Sequence, residues 1–325
     1  MANLLTFGNI KGYAKKAMKK LIYLDHAATT PLDPEVKKAM EPFWSENFGN
    51  PSSIYHAGIK AKEALSQARG KIAKILGAKS SEIVFTAGGT ESANLAILGL
   101  SRARGKNLKK PGHIITTEIE HPAVLNAVRA LEKEGFAVSI LPVDKYGLVG
   151  LEEIKKAIKP ETFLISVMYA NNEIGTIEPI AEIGKLLKKT NQERNAEGLS
   201  LIYFHTDACQ AAGYLDLNVD KLGVDLLTLN GSKIYGPKGS AILYIRNGIS
   251  LKPLIFGGGQ ENGLRSGTEN VPADIGLAKA LELVQKNKNQ ESRRLNKLSQ
   301  KLTNGILKTI SKTFLNGHPQ KKLPN

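Results

Sequence analysis

Short apolar runs alternate with amphipathic stretches along most of this chain. Residues 83–85, 113–117, 137–141, 163–169, 201–204, 226–229 and 241–245 are runs of strand length, rich in β-branched and other apolar residues and bounded by glycine, proline or polar positions. That is the pattern of buried strands. Between them, residues 63–76 carry Ala64, Leu65, Ala68, Ile72 and Ile75 on one helical stripe. Residues 93–100, 122–132, 151–158 and 180–188 also read as helices. Such alternation predicts an α/β protein with a mostly parallel sheet and helices on both faces. Residues 21–24 predict a further strand, and residues 191–198, being polar, a surface loop. From Pro272 the pattern changes to one long charged helix over residues 275–310, with room for one break.

Length adds domain organisation. At 325 residues the chain exceeds the size at which one core keeps growing, so a large domain and a smaller one are expected. The division predicted is a large domain over residues 35–275, with residues 21–34 and 276–325 forming an incomplete small α+β domain. Residues 1–20 form a basic extension holding Lys11, Lys15, Lys16, Lys19 and Lys20. It lacks the apolar core of a secretory signal and the arginines of an organellar leader.

Charge changes the picture less than its size suggests. Forty-five lysines and arginines against 30 acids give a formal charge of +15, which raises nucleic acid as a partner. Aromatics are only 6%, however, and no zinc-finger or basic-zipper spacing is present. The excess lies in helical lysines such as those of 185–189 and 286–312, so a solvated basic face is expected, or an acidic protein partner, rather than nucleic acid. No apolar run approaches the roughly 20 residues of a membrane span, so no membrane association is expected. One cysteine, Cys209, allows no internal disulfide and fits a reducing cytoplasm.

Candidate chemistry gathers where the strands end. Lys233 closes an apolar run and enters the glycine-bounded turn Gly231-Ser232-Lys233-Ile234-Tyr235-Gly236-Pro237-Lys238-Gly239, so it is presented by the fold. Upstream, Asp207 and Gln210 follow another strand. Open α/β sheets bind ligands at this edge. An amine that attacks a carbonyl, beside a carboxylate that keeps a ring nitrogen protonated, is what pyridoxal phosphate chemistry requires. Gly88-Gly89-Thr90, between strand and helix, offers backbone amides and a hydroxyl to an anion, or is an ordinary turn. His121 begins a helix and is either a cap or a site imidazole. Asn172 follows a strand and is either a turn residue or a ligand. Their joint placement after strands of one sheet makes them a candidate site. Residues 231–238 lack the adjacent Gly-Lys and following Ser/Thr of a nucleotide-binding P-loop.

These motifs, in this order, resemble one family. Tyr23-Leu24-Asp25-His26-Ala27-Ala28-Thr29-Thr30, Phe48-Gly49-Asn50-Pro51-Ser52-Ser53, Glu120-His121-Pro122-Ala123-Val124, Asn171-Asn172-Glu173-Ile174-Gly175, His205-Thr206-Asp207-Ala208-Cys209-Gln210 and Gly257-Gly258-Gly259-Gln260 through Arg265-Ser266-Gly267-Thr268 are similar to those of cysteine desulfurases. The resemblance runs from about Leu21 to Asn325. It implies a pyridoxal-phosphate-dependent transferase of fold type I, with a mostly parallel seven-stranded sheet. It also implies conversion of L-cysteine to L-alanine, with sulfur passed through an enzyme persulfide to an iron-sulfur scaffold or other acceptor protein. Lys233 matches the lysine that carries the cofactor, and His121 the imidazole stacked on its ring. Asp207 matches the partner of the ring nitrogen. Gln210 and Asn172 match groups near the phenolic oxygen or substrate carboxylate. Gly89, Thr90, Asn230 and Ser232 match the phosphate cradle, and Thr268 a residue reaching the partner subunit's phosphate in a homodimer. No metal site is implied.

The chain departs from the family pattern in places. Ser232 stands where many relatives carry histidine. The family's persulfide cysteine and substrate-carboxylate arginine fall downstream of the position of Asn325. Cys209, fixed at a strand end, is expected to be a structural thiol. Binding of the cofactor is therefore expected, with a selenocysteine lyase, another class-V aminotransferase or a non-catalytic cofactor-binding remnant as the alternatives.

Overall fold

The computed structural model describes residues 22–105 and 112–325. Its elements are α1 (Pro34–Met40), α2 (Pro42–Ser45), α3 (His56–Leu76), β1 (Ile83–Thr86), α4 (Gly89–Asn94), a π-helical turn (Leu95–Gly99) and α5 (Leu100–Gly105). There follow β2 (His113–Thr117), α6 (Pro122–Lys133), β3 (Ala137–Leu141), α7 (Leu151–Ala157), β4 (Thr162–Ser166), α8 (Ile180–Ala196) and β5 (Tyr203–Asp207). The last are α9 (Val219–Leu222), β6 (Leu226–Asn230), β7 (Ala241–Ile245) and α10 (Val271–Thr309).

The seven strands form one sheet in the order β1-β7-β6-β5-β4-β2-β3. Strands β2 to β6 pair in parallel where they are neighbours, and β7 runs antiparallel to both β1 and β6. β1 therefore points the same way as β2 to β6, and the connections leaving all six emerge at one edge. Adjacent strand residues face opposite sides, as a two-residue side-chain period dictates. Ile115, Ile165, Leu227 and Ile242 pack with α3, α8 and the start of α10. Ile114, Leu164, Leu226 and Leu243 pack with α6 and the turn Leu95–Gly99. Both faces are covered along strands such as β2, β4 and β7, so these read as largely apolar runs, whereas the edge strand β3 is half-exposed.

Three sequence expectations are corrected. Residues 22–24 form no strand; Ile22 and Leu24 are 81% and 86% exposed, and residues 1–21 lie outside the described part. Polar composition predicts a loop from residue 191, yet α8 continues to Ala196. Arg194 holds it there, 5% exposed, its guanidinium donating to the carbonyls of Lys159, Pro160, Thr162 and Ser200. The C-terminal helix is unbroken over 39 residues and starts at Val271, with Pro272 in its first turn and the Asn270 side chain as its cap. A smaller difference concerns α3, which begins seven residues before the predicted start at residue 63. Gly58 makes this possible: a Cβ there would stand 2.4 Å from the Ser53 carbonyl oxygen.

After α10 the chain returns to the sheet. Leu323, 3% exposed, joins the core, and its N–H donates to Gly175 O at 2.8 Å.

Candidate functional site

A cavity of about 470 Å3 opens at the edge where β1, β2, β4, β5 and β6 end. Each strand delivers chemistry to it through the residues that follow. β1 leads to Gly89 and Thr90, β2 to His121, β4 to Met168 and Asn172, β5 to Asp207, Cys209 and Gln210, and β6 to Asn230, Ser232 and Lys233. The segment holding Asp25, Ala27 and Ala28 covers one side. All the predicted site residues except Thr268 are brought together here. Thr268 is exposed and lines a separate recess of about 160 Å3 with Phe85, Glu261 and Asp274.

Lys233 sits in a single tight turn after β6. Its Nζ donates to Ala27 O at 2.7 Å and to Ala28 O at 2.6 Å, which aims the amine across the cavity mouth. Gln210 Nε2 donates to the same Ala27 carbonyl at 3.0 Å. Tyr235, two residues on, is held at φ 60°, a left-handed conformation that costs a non-glycine residue about 1–2 kcal/mol. Its N–H donates to Thr30 Oγ1 at 2.7 Å, and its hydroxyl meets His26 Nδ1 at 3.1 Å. Thr30 also bonds Ser232 O. The lysine turn and the residue 25–30 segment are thus one interlocked unit.

His121 caps α6 and also lines the cavity. As the cap of α6, its Nδ1 accepts the Ala123 N–H at 3.1 Å. A neutral ring bonded this way carries its proton on Nε2. Asp207 is 8% exposed, and its Oδ1 accepts the Cys209 N–H at 2.9 Å. Cys209 is itself buried, and burial, with the Asp207 charge adding, pushes its thiol well above the usual cysteine range. It is a protonated, structural thiol. Asn172 donates to Glu173 Oε1 at 2.8 Å, at the head of a turn fastened by the Asn171 side chain.

The residues fit pyridoxal phosphate. A Cβ on Gly89 would lie 3.0 Å from both Asn230 Nδ2 and Cys209 Sγ, so glycine keeps open a cradle at the start of α4. Backbone amides there, with the Thr90 hydroxyl, suit an anion. Ser232 Oγ lies 3.3 Å from Asn230 Oδ1 on the opposite wall. Amine, carboxylate, imidazole and anion cradle surround one cavity.

Sequence reasoning missed several participants. The carbonyls of Ala27 and Ala28 are backbone groups and leave no residue-type signal. Tyr235 is an ordinary residue in an unusual conformation. Glu120, 4% exposed behind His121, stood beside a stronger candidate in the same motif.

Residues 22–325 match the family model of the class-V aminotransferases. The cysteine desulfurase IscS of Dictyoglomus turgidum is 51% identical over 308 residues, covering 95% of this chain and 75% of that protein. The cysteine desulfurase IscS of Methanosarcina thermophila is 51% identical over 317 residues, covering 98% and 75%. Among solved structures, a NifS-like protein superposes with a TM-score of 0.87 at 40% identity, covering 94% of this chain and 80% of that one. SspA in complex with cysteine superposes with a TM-score of 0.74 at 45% identity, covering 80% and 72%.

Proposed function

This chain belongs to the class-V aminotransferases and, within them, to the pyridoxal-phosphate-dependent cysteine desulfurases, and from that premise we propose how its residues perform the reaction. The substrate is L-cysteine and the carbon product L-alanine, the sulfur passing to an acceptor thiolate for iron-sulfur cluster assembly. The observation that carries the reading is the convergence of Lys233, Asp207 and His121 on one cavity with an anion cradle at its side.

Bound pyridoxal phosphate supplies an aldehyde that condenses with amines and a ring that accepts electrons. Lys233 Nζ is the protein's amine for that aldehyde. The same nitrogen would also serve to move protons at the substrate carbon, as base and then acid. The Ala27 and Ala28 carbonyls hold the amine at the cavity mouth. Asp207, its buried carboxylate lining the cavity, would pair with the ring nitrogen and keep a proton there. His121, on the cavity wall, would lie beside the ring and offer Nε2–H as a proton donor. Gly89, Thr90, Asn230 and Ser232 would hold the phosphate, and Gln210 and Asn172 would bond the phenolic oxygen or the substrate carboxylate. Cys209 takes no part: a buried, protonated thiol is not a nucleophile, so a more exposed thiolate must receive the sulfur.

Thr268, exposed and away from the cavity, supports a homodimer in which it completes the partner subunit's site. The residue 21–34 and 276–325 segments are proposed as parts of a small domain beside the large one. No described helix is long and apolar enough to cross a membrane. With a single buried thiol, a cytoplasmic location is the reading favoured.

The test is product analysis after loading with pyridoxal phosphate, supplying L-cysteine, a reductant and a small-molecule thiol acceptor. Alanine and sulfide in equal amounts are expected, with borohydride reduction fixing the pyridoxyl group on Lys233. Alanine from selenocysteine but not from cysteine would replace this reading, and a pyridoxyl adduct on any other lysine would overturn the site.

A further inference from the structure

Glu120 is a buried acid for which the reaction described above has no use. It follows β2 and immediately precedes His121. Its Oε1 accepts twice, from Thr117 Oγ1 at 2.9 Å and from the Met168 N–H at 2.7 Å, while Oε2 is buried without a partner. It joins none of the ion pairs among the described residues. The charges that act on it, Asp207 from β5 and Glu178 from the turn before α8, are both acids. A carboxylate with one empty oxygen, no cation and two acidic neighbours would pay a large desolvation cost. A neutral carboxyl in the same place keeps both hydrogen bonds to Oε1 and avoids that cost.

We propose that Glu120 is a positioning residue held as the neutral acid, fastening the end of β2 to Met168 beyond β4 and leaving Asp207 as the site's one buried anion. Both consequences bear on the cavity. Met168 lines it and His121 adjoins it, so Oε1 sets the spacing between two of its walls. A second negative charge near Asp207 would add like-charge repulsion beside the carboxylate that is to pair with the ring nitrogen. Burial pushes Glu120 up to about 8, in keeping with a carboxyl that is neutral at pH 7.

The proposal rests on the cofactor reading for its role but not for its protonation state, and the test separates the two. Infrared spectra of the apo-protein at pH 7 should show a protonated-carboxyl band that decreases in E120Q. If the wild-type and E120Q spectra coincide in that region, Glu120 is ionised and the inference fails. Stability gives an independent arm. A carboxyl raised from 4.5 to about 8 on folding binds a proton in the folded state that the unfolded chain has lost. Its stabilisation is therefore complete below about 4.5 and disappears as pH rises through about 8. Wild type should lose stability relative to E120Q across that window; parallel curves would overturn the inference. Glu178 and Asp274 titrate in the same direction and cancel in the difference.

For the role, E120A should weaken cofactor binding about tenfold by stranding the Met168 N–H and the Thr117 hydroxyl, and E120Q should recover most of the loss. Equal loss in both variants would overturn positioning by a neutral acceptor. Failure of wild type itself to bind pyridoxal phosphate would overturn the cofactor reading alone, leaving the infrared result standing.

Discussion

The two edges of the sheet are built on opposite rules. At the edge where β4, β5 and β6 begin, polar groups are tied to one another. Arg194 closes four carbonyls around the start of β4. Arg246 donates to Asp220 at 2.8 Å and to Val224 O at 2.8 Å, and pairs with Asp225, whose other oxygen accepts the Phe204 N–H. Glu82 accepts the N–H groups of both Lys79 and Asn247. At the far edge, Asp207, His121, Asn230 and Lys233 turn toward a cavity instead. The first edge has satisfied its groups internally and contributes rigidity. The second keeps groups for a ligand, and gives up the stability that internal pairing would add.

That contrast is sharpest when one residue is removed from each edge. K233A should abolish the proposed desulfuration, lowering turnover about 10^3-fold or more, since both the amine that carries the cofactor and the proton carrier go together. Its melting midpoint should scarcely move, because the lost bonds are two contacts to carbonyls at the cavity mouth. R194A should do the reverse. Four carbonyls, that of Thr162 fully buried and the others part-buried, lose their donor, a change worth about 3 kcal/mol, or a fall of roughly 4 °C at about 2.1 cal/mol/K per residue. Turnover per folded molecule below the transition should stay near wild type. Thermal melts beside steady-state assays decide both, and a large drop in turnover for R194A would show that the edges are coupled.

The same contrast explains what could be read in advance. Strands covered on both faces announce themselves as apolar runs, so β2 and β7 are bounded in the sequence where the structure bounds them. Site residues announce themselves by position: a lysine, an aspartate or a histidine just after such a run has few structural reasons to be there. The satisfied edge was not legible. Arg194 sits in a polar stretch that reads as loop, and only its reach to carbonyls some 30 residues back in sequence makes that stretch a helix. Backbone acceptors such as Ala27 O, and the left-handed Tyr235, depend on contacts over about 200 residues of separation. Nor does residue type tell Glu120, with an empty oxygen, from Glu261, which takes a bidentate pair from Arg69 and the Phe85 N–H.

Between the two edges lie buried histidines that should set the acid limit. His205 is enclosed in β5, bonded to Ser166 Oγ at 2.8 Å and Thr228 Oγ1 at 3.0 Å, and burial pushes it down to about 3. His113 in β2 is pushed down to about 4, chiefly by burial. A depressed histidine binds fewer protons folded than unfolded, so stability is lost as pH falls below about 6.5. By pH 5, His205 alone should cost roughly 2 kcal/mol relative to pH 7. Denaturant melts of wild type and H205N across pH 7 to 5 should diverge in slope, the variant being weaker at pH 7 but flatter. Equal slopes would mean that His205 is solvated enough to ionise within the fold.

The finest break in the comparison is a single methyl group at the open edge. Gly89 has no left-handed backbone requirement, so its value lies in space alone. A Cβ there meets Asn230 Nδ2 and Cys209 Sγ, each at 3.0 Å. Asn230 can rotate, but Cys209 is fixed, its N–H held by Asp207 at the end of β5. The cradle should therefore give by a few tenths of an ångström on one side only. G89A should raise the dissociation constant for pyridoxal phosphate about five- to tenfold, equivalent to roughly 1 kcal/mol, with the melting midpoint of the apo-protein barely changed. Titration of apo-protein by cofactor absorbance measures it directly. An unchanged constant would mean that the open edge tolerates repacking as a loop does, and that its precision comes from Lys233 and Asp207 rather than from the cradle.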